Sequence, residues 1–290
     1  MRIIKRKKGN QIYFYLQHSF RKRGKVKTVE KYLGKAAELS DKKMKRKIHE
    51  MAEEILREAR NNLYKQLEAI KKNFQKEWKR IPESAKKKEL EEIAIIFTYN
   101  TNAIEGSTIT LEETREIIQD KISANKPLKD VRETEVHSRV FLQMLDKKEK
   151  ISNECILRWH KEIFGETKKD IAGKYRNYSV MVGPYLAPDW QDVRKFMNGL
   201  IGFINKTKMN PVELSGRTHY RFEKIHPFGD GNGRIGRLIM NYILWRGGYP
   251  MLIIEYKKRK SYYKALQKDE EGFLKYFFRR YLVVHKKRLR

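Results

Sequence analysis

The chain has 290 residues, enough for one large domain or two ordinary ones, and carries 66 Lys and Arg against 36 Asp and Glu, a formal net charge of +30. With 40% hydrophobic and 11% aromatic residues it can bury a core, which excludes wholesale disorder and collagen-like or low-complexity architectures. No stretch approaches the ~18 consecutive apolar residues of a membrane span, and the basic segment 1–8 is followed by no apolar leader core, so a soluble cytoplasmic protein with no membrane partner is expected.

The charge is unevenly spread. Residues 1–90 hold 28 basic and 11 acidic side chains, residues 91–255 hold 25 and 22, and residues 256–290 hold 13 and 3. Basic ends around a near-neutral middle fit a nucleic-acid or acidic partner, and equally a Lys/Glu-rich solvated surface of the kind found in heat-stable proteins. The single cysteine, Cys155, cannot form an internal disulfide and sits in an apolar helical pattern, which reads as a buried structural thiol.

Residues 1–39 read as a basic β-meander: Ile3-Ile4, a turn at Gly9-Asn10, a β-prone run at 12–16, a basic turn around Gly24, and a third run at 26–33 ending at Gly34. Three short strands are marginal alone and need something to pack on. Residues 40–82 supply it as one long amphipathic helix, or two in line, with Met44, Ile48, Met51, Ile55, Ala59, Leu63, Leu67, Ile70, Phe74 and Trp78 three or four apart and Pro82 as the stop. That length also admits a coiled-coil contact in a homodimer.

A second helix, within 83–106, puts Leu90, Ile93, Ala94, Ile96 and Phe97 on its buried side and breaks at Glu105-Gly106; Thr110 with Glu113 then forms a capping-box signature for a helix from Leu111. Helices are expected at 127–145 and 152–165. The stretch 173–188 changes character, with Tyr175, Tyr178, Val180, Val182 and Tyr185 interleaved with Pro184 and followed by Pro188, and reads as a β-hairpin flap. Helical periodicity resumes at 193–206, 213–222 and 234–246, the last ended by Gly247-Gly248, and 256–290 reads as one or two basic helices.

The chemical motif is His226-Pro227-Phe228-Gly229-Asp230-Gly231-Asn232-Gly233-Arg234-Ile235-Gly236-Arg237. An amphipathic helix follows it, so Gly231, Asn232 and Gly233 lie at a helix N-terminus, where unpaired N–H groups and the helix dipole favour anions. Arg234 and Arg237, three apart, are placed on one helical face at that end and suit a polyphosphate. Asp230 beside them is a candidate Mg²⁺ ligand, and His226, which titrates near neutral pH, is the candidate general base.

This run resembles the signature of the Fic family, His-Pro-Phe-x-Asp-Gly-Asn-Gly-Arg-x-x-Arg, whose members transfer AMP from ATP to hydroxyl side chains of target proteins. The resemblance extends through Gly173-Lys174-Tyr175-Arg176, His219 and Phe222, and Gly247-Gly248-Tyr249-Pro250. It implies a mainly α fold. A Fic-type helical core at 107–255 with a β-hairpin flap would be preceded by the meander (1–39), the long helix (40–82) and a helix at 83–106, and followed by basic C-terminal helices at 256–290.

The resemblance further implies a catalytic His226, nucleotide binding by Gly231, Asn232, Gly233, Arg234 and Arg237, and Mg²⁺ on Asp230. It implies ATP as substrate and a target protein docked by strand addition on the flap between Tyr178 and Leu186. Gly233 matches the adenylylating form of the motif. Thr101-Asn102-Ala103-Ile104-Glu105-Gly106 resembles the family's inhibitory pattern, Ser/Thr-x-x-x-Glu-Gly, in which the Glu pairs with the second motif arginine, here Arg237. On its own such a string also suits an ordinary helix end. Two other functions stay open: removal of AMP from a modified target using Glu105 and His226, and a nucleic-acid-associated role for the basic flanks.

Overall fold

The structure is a computed structural model that describes residues 2–22, 25–35, 41–122, 125–147 and 149–289. The turn expected around Gly24 lies outside the described residues. Among the described residues the chain is mainly α-helical with two small antiparallel sheets, and it forms two compact units, residues 1–65 and 66–290.

In the first unit, β1 (Arg2–Lys8), β2 (Gln11–Lys22) and β3 (Lys25–Lys35) form a sheet in sequence order. Lys8 pairs with Gln11 across the Gly9-Asn10 turn, where Gly9 takes φ +60°, the left-handed backbone that tight hairpin turns demand. A bulge between Phe14 and Tyr15 shifts the β2/β3 register, and Leu16 and Leu33 are buried beside it. The expected long helix is α1 (Asp41–Arg80), whose Lys47 ammonium donates to the Leu33 carbonyl at 2.8 Å.

The second unit begins within α1, where Leu67 and Ile70 are fully buried and Phe74 and Trp78 meet Trp245 at ring distances of 6.1 and 5.4 Å. The order continues with α2 (Glu83–Ile104), α3 (Leu111–Arg115) with a π-helical turn at Glu116–Asp120, α4 (Leu128–Asp146) and α5 (Asn153–Phe164). A two-residue hairpin, β4 (Met181–Val182) and β5 (Tyr185–Leu186), precedes α6 (Val193–Lys206), α7 (Pro211–Ile225), α8 (Asn232–Arg246), α9 (Arg259–Leu266) and α10 (Glu270–Val284). The expected capping box is formed: Glu113 N–H donates to Thr110 Oγ1 at 3.1 Å and Thr110 N–H to Glu113 Oε2 at 2.7 Å.

Helix α8 is buried on every side from Asn232 to Leu244, as a helix at the centre of a bundle must be. It packs antiparallel on α7, and α2, α4, α5 and α6 enclose the pair around Phe97, Phe141, Trp159, Phe222, Phe228, Ile235 and Leu238. Helix α7 starts earlier than apolar periodicity suggested, because Asn210 caps it by accepting from Val212 N–H at 2.9 Å and Pro211 occupies its first turn. The C-terminal helices are basic outside but bury Tyr262, Phe273, Phe277 and Tyr281. Cys155 is buried, and burial pushes its thiol up to about 12, which makes it inert.

Candidate active site

The motif forms the connection between α7 and α8. His226 ends α7 in the left-handed conformation, φ +49°, with its N–H donating to the Phe222 carbonyl at 2.9 Å. Arg176 holds this strained corner: its Nε donates to His226 O at 2.8 Å, Nη1 to Tyr178 O at 2.9 Å and Nη2 to Pro188 O at 2.5 Å. The helix end that carries the histidine is thereby tied to both flanks of the hairpin. Phe228 anchors the loop by stacking on His160, with ring centroids 3.8 Å apart. Gly173 N–H donates to His160 Nδ1 at 2.9 Å, which leaves the Nε2 proton to donate to Asp230 O at 3.0 Å. Burial holds the ring neutral, with its pKa lowered to about 4.

The side chain of Asn232 closes the loop on itself, accepting from Phe228 N–H at 2.9 Å and donating to Phe228 O at 2.8 Å. Its amide therefore shapes the loop, and only its backbone N–H is left for an anion. Gly231, at φ +79°, could not carry a side chain, since a Cβ would stand 2.4 Å from the Phe164 ring. A Cβ on Gly233 would lie 2.2 Å from Glu105 Oε1, so the Glu105 carboxylate lies directly against the first turn of α8.

The two motif arginines diverge, although sequence spacing put them on one face. Arg234 pairs with the buried Glu133 of α4, and its guanidinium lies 4.4 Å from the Phe164 ring centroid. Burial favours the neutral acid at Glu133, but Arg234, Thr167 and Lys168 outweigh it and keep the carboxyl below the ordinary range. Arg237, 1% exposed, donates from Nε to Thr101 Oγ1 at 2.7 Å and from Nη2 to Glu105 Oε1 at 2.6 Å. Asp230 is half-exposed; its Oδ1 accepts Gly231 N–H at 2.5 Å and its Oδ2 pairs with Lys168 at 2.8 Å. Lys168 also reaches Glu133 Oε1 at 3.1 Å, so Asp230, Lys168, Glu133 and Arg234 form one alternating chain of charge.

A cavity of about 300 Å³ opens here, walled by Asn102, Glu105, Gly106, Lys168, Asp230 and Arg234 among others. His226 does not line it, and Arg237 lies behind Glu105. Burial lowers the His226 pKa, the Glu223 carbonyl opposes this and Arg176 reinforces it; its Nδ1 has no hydrogen-bond partner. Glu223, its side chain 11% exposed, has an unpartnered Oε1, and loss of solvent pushes its carboxyl up to about 7.

Four participants were not legible as such in the sequence. Glu133, Lys168, Glu223 and His160 sit in stretches of ordinary helix or loop polarity. Glu133, His160 and Lys168 lie far along the chain from the motif they touch, and Glu223, just before His226, carries no signal beyond that of a charged residue in a helix. Among the described residues no group of three or more His, Cys, Asp or Glu could hold a metal, so Asp230 offers a single carboxylate.

Fold and loop together define a helical-bundle protein in which the Glu105 carboxylate lies against the N-terminus of the central helix. Residues 150–244 match the Fic/DOC family, and the chain carries a Fic domain. It is 34% identical over 203 residues to a protein of Nematostella vectensis called protein adenylyltransferase Fic, a match covering 67% of this chain and 47% of that protein. It therefore spans about half the length of that relative. Residues 134–508 of Fic-1 from C. elegans superpose with a TM-score of 0.67 at 25% identity, covering 80% of this chain and 73% of that one. A Fic-domain-containing signaling protein of Bacteroides thetaiotaomicron shares the fold, with a TM-score of 0.67 at 24% identity over 79% of this chain and 94% of its own. Among the described residues no helix is long and apolar enough to cross a membrane.

Proposed function

We propose that this chain transfers AMP from ATP to a Tyr, Ser or Thr hydroxyl of a target protein, with residues 107–255 as the catalytic core and Glu105 as a built-in restraint. One observation carries the reading: the Glu105 carboxylate lies against Gly233 at the α8 N-terminus and pairs with Arg237 at 2.6 Å. An internal anion holds the place where helix dipole, free N–H groups and a buried guanidinium would receive a polyphosphate. The naming of the relatives as protein adenylyltransferases supports the choice of AMP as the group transferred.

In this reading the α8 first-turn N–H groups and Arg234 hold the phosphates. Arg237 takes the terminal phosphate once Glu105 has left. His226, kept neutral by burial, accepts the proton of the target hydroxyl as that oxygen bonds to the α-phosphorus. The bond to the bridging oxygen breaks, and pyrophosphate leaves with its electron pair. Positioning and charge stabilisation supply most of the rate. A lone half-exposed carboxylate fits Mg²⁺ arriving with the nucleotide better than a resident metal; Asp230 would hold it, and it would supply neutralisation of phosphate charge. The hairpin offers a short edge with Met181 63% and Leu186 60% exposed, suited to pairing with an extended target segment.

ATP labelled separately at the α- and γ-phosphorus, given to the Glu105→Gly variant with a cell lysate, tests this. Protein-bound label from the α-position alone is expected; label from the γ-position would make the chain a kinase. Removal of AMP is the second reading, since the chain holds Glu105 against the first turn of α8 and His226 at the head of the same loop. It requires that wild type strip label from a modified target and that Glu105→Gly leave it in place.

A further inference from the structure

The N-terminal sheet has two unlike faces. Leu16, buried, points to one. On the other, the register sets Tyr13 opposite Arg6, Tyr15 opposite Ile4 on β1, and Tyr15 opposite Tyr32 on β3. The three tyrosines make a continuous cluster, with Tyr32 ring centroids 6.2 Å from Tyr13 and 5.5 Å from Tyr15, and Tyr32 is 50% exposed. Because side chains alternate along a strand, Arg2, Arg6 and Lys8 line the same face in a row along the edge strand β1, and all three are exposed. The Arg6 guanidinium lies 5.0 Å from the Tyr15 ring. Residues 1–35 contain twelve Lys and Arg and a single acidic residue, Glu30, which pairs with Arg6 at 2.5 Å.

A cross-strand aromatic cluster would stabilise a sheet wherever it lay. What it does not require is solvent exposure, a flanking row of cations, and a segment almost stripped of acids. Those three together are what a stacking platform for single-stranded nucleic acid needs: aromatic faces for bases and a positive track for phosphates. Tyr13 and Tyr15, two residues apart on one strand, are separated by ~7 Å, a step that one nucleotide of an extended strand can span. A duplex keeps its base faces stacked inside and could use only the cations. We propose that this face binds single-stranded nucleic acid, bases on Tyr13, Tyr15 and Tyr32, phosphates along Arg2 and Lys8.

The full chain is titrated into a fluorescent thymidine oligonucleotide, its uridine counterpart and a duplex of equal length, and anisotropy is followed at several salt concentrations. Single strands are expected to bind more tightly than duplex, with affinity falling by a log–log slope of about −0.7 for each phosphate neutralised. Tyr32→Ala should weaken binding about tenfold or more, and Tyr32→Phe should restore it. Lys8→Glu, at an exposed edge position that the sheet does not need, should weaken binding and flatten the salt slope. The proposal is overturned by no binding, by equal affinity for duplex with Tyr32→Phe and Tyr32→Ala both indifferent, by Lys8→Glu without effect, or by polyglutamate competing as well as unlabelled oligonucleotide.

Discussion

Replacing Glu105 by Gly removes the carboxylate that sits on Arg237 and against Gly233. Two opposed effects follow. Arg237 is 1% exposed, so the substitution strands a buried guanidinium. Breaking a fully buried pair costs about 3–5 kcal/mol, but the Glu105 side chain is 29% exposed and water can take its place, which brings the loss nearer about 1–2 kcal/mol. Thr101, which accepts from Arg237 Nε at 2.7 Å, keeps the guanidinium aimed at the vacated position. A bound triphosphate then restores an anion to Arg237, so what the free protein loses the nucleotide complex regains. The variant should melt below wild type without ATP, show the larger ATP-induced rise in melting temperature, and transfer AMP at least tenfold faster, about 1.4 kcal/mol of barrier. Initial rates with α-labelled ATP and thermal melts with and without nucleotide measure all three. Equal transfer rates with equal ATP-induced shifts would refute the reasoning, since Glu105 would then be an ordinary helix-end residue.

His226→Ala should abolish transfer yet keep nucleotide affinity within a few-fold in calorimetry, because the phosphate-binding N–H groups and arginines are untouched; its wild-type counterpart should lose kcat/KM only as pH falls below the ordinary histidine value, since burial lowers the His226 pKa and the neutral ring is the active form. Glu133→Ala should cost about 3–5 kcal/mol in urea denaturation by leaving Arg234 buried and unpaired, and Glu133→Ala with Arg234→Met should recover most of it. Stability should fall on acidification: His160 and His285 (pKa lowered to about 4) and His219 (lowered to about 3) are neutral in the folded state, whereas the unfolded chain binds their protons from about pH 6.5 downward. Each contributes up to about 1.4 kcal/mol per pH unit between about pH 6 and pH 4.5. Glu223, raised to about 7, runs the other way over the same window and offsets one of the three. Melting temperatures that stay level from about pH 7 to pH 4.5 would contradict this balance.

Much of this was legible because local chemistry and global fold agree. The run Gly231-Asn232-Gly233 reads as the start of a helix, and the structure adds what crowds its glycines: the Phe164 ring at one and the Glu105 carboxylate at the other. The string Thr101 to Glu105 pointed to Arg237 across 132 residues because both ends belong to one recognisable pattern. Spacing along a helix failed where partners decide direction. Arg234 and Arg237 start three residues apart, yet Glu133 draws one away and Glu105 the other. The Lys168 bond to Asp230 and the Arg176 brace on His226 join segments whose proximity depends on how α5 and the hairpin pack, and no periodicity carries that.

The most direct measurement of the central claim is mass spectrometry of lysate proteins after incubation with Glu105→Gly and unlabelled ATP, alongside Glu105→Gly/His226→Ala. Transfer of AMP predicts peptides carrying one added AMP on a Tyr, Ser or Thr oxygen, with one pyrophosphate released per modification and none in the double variant. Peptides gaining phosphate instead, or gaining AMP equally without His226, would contradict it.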